Sequence, residues 1–78
     1  MPVEFAGGAG VTRDVSESGV FFETVMPVEM GQALEFQLVF GDADPQFQAR
    51  VHCEGEVVRV EPLAVGRGVA VKLRAYRL

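Results

Sequence analysis

The chain predicts an all-β fold, a small antiparallel β-barrel, and three observations carry that expectation. Apolar and polar residues alternate over short stretches, the period of a half-buried strand. Glycine, proline and aspartate break the chain at close spacing, leaving five or six short strands and no convincing helix. One long apolar stretch switches parity near a glycine, as a bent strand serving two sheets of a barrel would.

Taken in order, Val3-Glu4-Phe5 forms a short strand that ends in Gly7-Gly8-Ala9-Gly10, expected to be a flexible turn. Residues 11–15 give a second strand, and residues 16–19 break it. Residues 19–25 are rich in β-branched and aromatic side chains and give a third. Pro27 and Gly31 bracket a connection. The clearest alternation follows: Leu34, Phe36, Leu38 and Phe40 share one face, Glu35 and Gln37 the other. Val39 breaks the pattern and is expected as an exposed apolar residue. Gly41-Asp42-Ala43-Asp44-Pro45 is a turn by composition. Beyond it Phe47, Ala49, Val51 and Cys53 fall on odd positions, whereas Val58 and Val60 fall on even ones. This predicts a bent strand over residues 46–61 with its bulge near Gly55. Gly66-Arg67-Gly68 opens a last strand, with Val69, Val71 and Leu73 inward and Lys72 and Arg74 outward.

A length of 78 residues allows one domain with a modest core. No apolar run approaches the roughly 20 residues that span a bilayer. The N-terminus lacks the basic start and apolar stretch of a signal peptide. Membrane insertion is therefore not expected, and a cytoplasmic location is. The single cysteine, Cys53, excludes an internal disulfide. The net charge of −4 argues against a DNA- or RNA-binding role, which draws its affinity from neutralised phosphates. A single-strand-binding barrel would also interleave aromatics with Lys or Arg. Here Phe36 and Phe40 alternate with Glu35, Gln37 and Val39.

His52-Cys53-Glu54 contains three metal-ligand types, but strand neighbours point to opposite faces and zinc sites take about four ligands. A buried Cys53 beside an exposed His52, and no metal, is the expectation. Asp42 and Asp44 are explained by turn chemistry. Glu54 and Glu56 would share a face only in the absence of a bulge at Gly55. Gly7-Gly8-Ala9-Gly10 has no lysine and no following helix, so it is no phosphate loop. His52 is the only histidine, and no nucleophile–base–orienter set is apparent, so no enzymatic activity and no required cofactor are expected.

The segment Thr12-Arg13-Asp14-Val15-Ser16-Glu17-Ser18-Gly19 is a well-made turn. Asp14 and Ser16 are residues that bond nearby amides, and Gly19 is able to take a positive φ. Asp14-x-Ser16-x-x-Gly19 is followed by Val20-Phe21-Phe22-Glu23, by Gly31 ahead of an alternating strand, by Gly55-Glu56-Val57-Val58-Arg59-Val60 and by Gly68-Val69-Ala70-Val71-Lys72-Leu73. In that order these pieces resemble the PilZ domain over about residues 11–76.

The resemblance implies a six-stranded antiparallel barrel and a bacterial regulatory module that binds cyclic di-GMP. It implies that Asp14 accepts from a guanine edge, that Ser16 bonds close by, that Gly19 permits close approach and that Arg13 adjoins the ligand. Ligand-binding members also carry Arg-x-x-x-Arg just before the first strand, where it grips phosphates and stacks on bases. The chain begins Met1-Pro2-Val3-Glu4-Phe5, and none of Arg13, Arg50, Arg59 and Arg67 takes that place. Two expectations follow. In one, an arginine segment lies upstream of Met1 and residues 1–78 alone bind cyclic di-GMP weakly. In the other, this is a divergent module that binds no nucleotide and works on a protein partner, through Val39 and whichever of Phe21 and Phe22 faces outward.

Overall fold

The computed structural model describes residues 1–41, 46 and 48–78. The expected turn at Asp42 and Asp44 and the inward position of Phe47 lie outside the described residues. Six strands follow one another: β1 Pro2–Phe5, β2 Gly8–Val15, β3 Gly19–Thr24, β4 Ala33–Phe40, β5 Ala49–Pro62 and β6 Arg67–Arg77. They close into an antiparallel barrel in the order β1-β2-β3-β6-β5-β4, as the alternation and turn spacing predict. Among the described residues no helix is long and apolar enough to cross a membrane.

The interior is filled by the residues that the period-2 pattern turns inward. Val3, Phe22, Val57 and Val69 are fully buried, and Val20, Leu34, Phe36, Leu38, Cys53 and Val71 nearly so. At the centre, the Phe22 ring lies 5.9 Å from Phe5 and 6.1 Å from Phe36, both tilted, which is the spacing aromatic pairs prefer. Cys53 joins this core while His52 beside it is exposed, as strand alternation requires. The one buried polar side chain among the described residues, Thr24, is satisfied: its hydroxyl donates to Ala9 O at 2.7 Å and accepts from the Met26 amide at 3.1 Å.

Three expectations are corrected. First, Gly8 and Gly10 belong to β2 rather than to a flexible turn; only Gly7, at φ 85°, supplies the reversal. The glycines are needed there for space, since a Cβ on Gly10 would lie 2.5 Å from the Glu23 carbonyl. Secondly, Val39 is buried, 2% exposed, although it sits outside the main core cluster. It pairs with Arg50, whose guanidinium runs along the outer face to Glu4 at 2.6 Å and Gln37 at 3.2 Å. An arginine stem laid over a sheet covers apolar neighbours.

Thirdly, the parity of β5 switches at Val58 and not at Gly55. The β5–β6 ladder has two register shifts, between Glu54 and Gly55 and between Val57 and Arg59. In the first the extra residue is Arg74 on β6, so Glu54 and Glu56 keep the same outer face of β5. In the second the extra residue is Val58 itself, which is turned out to 45% exposure while Val57 is fully buried. Gly55 has a different task. A Cβ there would lie 2.5 Å from Lys72 O and 2.6 Å from a Val71 methyl, so β5 and β6 approach only over a bare backbone.

Candidate ligand-binding face

Residues 16–18 connect β2 to β3 through a turn built largely by Ser16. The Ser16 amide donates to Gly19 O at 2.9 Å, and the Gly19 amide donates back to the Ser16 hydroxyl at 3.2 Å. The Ser16 hydroxyl also lies 3.3 Å from Gly19 O and 3.3 Å from the Ser18 hydroxyl. One serine therefore holds both ends of a four-residue loop. The turn is tied to the barrel where the Leu73 amide donates to Ser18 O at 2.9 Å.

Gly19 does not use the positive φ open to it; among the described glycines only Gly7, Gly31, Gly41 and Gly66 do. Its reason is proximity, since a Cβ would stand 3.0 Å from Val71 O on β6. Immediately before the turn, the β2–β3 ladder shifts register at Arg13, which is left without a Cα partner between Thr12↔Phe22 and Asp14↔Phe21. This bulge aims both side chains outward. They then diverge: Arg13 is ion-paired with Glu23 on β3, whereas Asp14 is exposed and, among the described residues, its carboxylate bonds nothing. An unbonded carboxylate on a rigid corner is available to paired N–H donors, such as those on the edge of a guanine.

The register carries this corner across the sheet. Asp14 on β2 faces Phe21 on β3, Phe21 faces Ala70 on β6, and Ala70 faces Arg59 on β5. Phe21 is thus the outward phenylalanine, with Phe22 fully buried. The Phe21 ring lies over Gly68, where a Cβ would come within 2.6 Å of it. The Arg59 guanidinium sits 5.5 Å from the ring centroid, a cation–π contact, and its Nε is 3.0 Å from Glu61. One step further along, Lys72 stands opposite Gly19 and is exposed, with no ion pair among the described residues.

Of the residues picked from the sequence, Asp14, Ser16, Gly19 and Arg13 are brought to one corner. Sequence reasoning missed the Phe21–Arg59 pair, because 38 positions separate those residues and only the β3–β6–β5 register joins them. The glycine at 68, ahead of the alternating run of β6, was the one available hint.

A family model, that of the PilZ domain, matches residues 3–77. No curated protein and no solved structure matches the chain. The match spans nearly the whole sequence and the barrel is consistent with that fold, so the chain belongs to the PilZ domain family, whose members are regulatory modules of bacterial cyclic di-GMP signalling, generally without enzymatic activity.

Proposed function

We propose that this chain is a cytoplasmic regulatory module that meets cyclic di-GMP at the β2–β3 corner, weakly by itself and tightly when an arginine segment from outside residues 1–78 grips the phosphates. The observation that carries the reading is the contrast between Ser16 and Asp14. Ser16 spends its hydrogen bonds on the turn, whereas Asp14 is exposed with a carboxylate that bonds nothing among the described residues. In this reading Asp14 accepts from the guanine edge, Ser16 fixes the turn beside it, and Gly19 lets the turn lie against β6. Arg13, held by Glu23, lines the corner. Two missing charge-assisted contacts, at about 1.5–3 kcal/mol each, account for weak binding without the arginine segment.

Calorimetric titration of cyclic di-GMP tests this. Binding that disappears in Asp14→Ala and Ser16→Ala supports it, and absence of heat at millimolar ligand overturns direct sensing by residues 1–78. A second reading, a module that binds no nucleotide and acts on a protein partner, is supported by a different observation. Val25 and Val65, both strongly exposed, lie at one end of the barrel, where Gly66 packs against the backbone of Thr24 and Val25. Val39, being buried, has no part in such a surface. Nucleotide binding lost on Asp14→Ala would overturn the interaction-only reading.

A further inference from the structure

We infer that the exit end of β6, residues 74–77, is an open sheet edge that accepts an extended acidic segment of a partner protein as an added strand. The inference does not draw on nucleotide binding at the Asp14 corner.

The barrel leaves this edge bare. β3 runs along β6 only as far as the pair Gly19↔Lys72, and the Leu73 amide is then taken by Ser18 O at 2.9 Å. β6 continues through Arg74-Ala75-Tyr76-Arg77, held on one side by β5 through Glu54↔Ala75, Cys53↔Tyr76 and His52↔Arg77. Their other side has no strand and no backbone hydrogen bond among the described residues. Residues 74–77 are all exposed. A row of unpaired N–H and C=O groups is a template for one more strand.

Charge says which strand fits. Arg13, Arg50 and Arg59 are ion-paired, and Arg67 donates to the carbonyls of Val25 and Met26. The remaining cations, Lys72, Arg74 and Arg77, bond nothing among the described residues, and all lie at the exit end of β6. In a chain of net charge −4, the uncommitted positive charge is thus gathered at the bare edge. A second copy would bring the same cations to the same edge, and the extra residue Arg74 adds a bulge; both devices deter self-pairing. An acidic strand is attracted instead. Tyr76 refines its pattern. The residue continues the inward row of Phe36 and Cys53 past the closed barrel, yet is 58% exposed. Cross-strand neighbours stand directly opposite, so an apolar residue covers Tyr76 while an acid meets Arg77 on the other face. The segment that fits alternates acidic and apolar residues.

The test is an NMR titration of the ¹⁵N-labelled chain, without nucleotide, with a short blocked peptide of alternating glutamate and valine. Its controls are the same peptide with lysine for glutamate, the glutamate peptide N-methylated at alternate residues, and a single-stranded DNA oligomer. The glutamate peptide is expected to shift the amides of residues 72–78 and Ser18, to slow amide exchange within residues 74–77, and to give cross-strand contacts to β6. Arg74→Gln and Arg77→Gln, each checked for a native-like amide spectrum, should weaken it roughly two- to fivefold and flatten its salt dependence. The N-methylated peptide should not bind. Equal binding of the lysine peptide overturns the charge argument. Equal binding of the N-methylated peptide or of the oligomer at the same residues overturns strand addition. Shifts of these residues on concentrating the chain alone, with slowed diffusion, assign the edge to a second copy and overturn the proposal. So does the absence of any shift at millimolar glutamate peptide.

Discussion

Asp14 and Ser16 stand two residues apart, yet the fold uses them in opposite ways. Ser16 is bonded to both sides of its turn, so Ser16→Ala should cost about 0.5–1.5 kcal/mol of stability in urea unfolding. Asp14 is exposed and bonds nothing among the described residues, so Asp14→Ala should leave stability within about 0.5 kcal/mol of native while removing ligand binding. A pair of unfolding curves separates the residue that builds the turn from the one proposed to meet the ligand. Cys53 makes a prediction with pH. Burial pushes its thiol above the ordinary range, because the interior disfavours a thiolate. The folded state then holds its proton more tightly than the unfolded state. Its contribution is fully present below about pH 8.5 and falls as pH rises beyond that value. Stability measured between neutral and strongly alkaline pH should decline less steeply in Cys53→Ala than in the native chain.

Among the elements, β5 and β6 share two register shifts, and the extra residue is Arg74 of β6 in one and Val58 of β5 in the other. Val58 is the extra residue of the β5–β6 shift and points out, whereas Val57 fills the core. Val58→Lys should therefore change stability by no more than about 0.5 kcal/mol, and Val57→Ala should cost about 2 kcal/mol. Thermal unfolding of the two variants decides between the observed parity and the one the apolar pattern suggests. The pattern misled because Val57, Val58 and Val60 are all apolar, so alternation alone does not say which valine the bulge expels. The bulge at Arg13 was equally hidden. Polar Thr12, Arg13 and Asp14 suit an outer face in either register, and only pairing with Phe21 and Phe22 reveals the extra residue.

For the whole molecule, closure depends on pairings distant in the chain. β1 meets β4 through Val3↔Leu38, and β3 meets β6 through Phe22↔Val69, while β4–β5 and β5–β6 join neighbours in sequence. Non-local pairings of this kind slow folding, so refolding should occur in milliseconds to seconds rather than microseconds. Stopped-flow refolding with a chevron analysis checks this. The closed barrel also aligns distant residues: β2, β3, β6 and β5 each contribute one residue to the row Asp14, Phe21, Ala70 and Arg59. A ligand held at the proposed Asp14 corner binds only the folded barrel, and should raise the unfolding midpoint as its occupancy rises.

The sequence by itself determined the fold class, the strand order along the chain, the buried Cys53 beside an exposed His52, and the turn that begins at Ser16. These follow from local alternation and turn chemistry, which read out within a few residues. The tertiary structure decided what depends on register between distant strands. It buried Val39 and turned out Val58. It gave Gly19 a spacing role in place of a backbone one. It also laid Arg59 on Phe21, across a strand whose Gly68 leaves room for the ring. A one-residue shift reverses every side chain beyond it, and only the partner strand fixes where that shift falls.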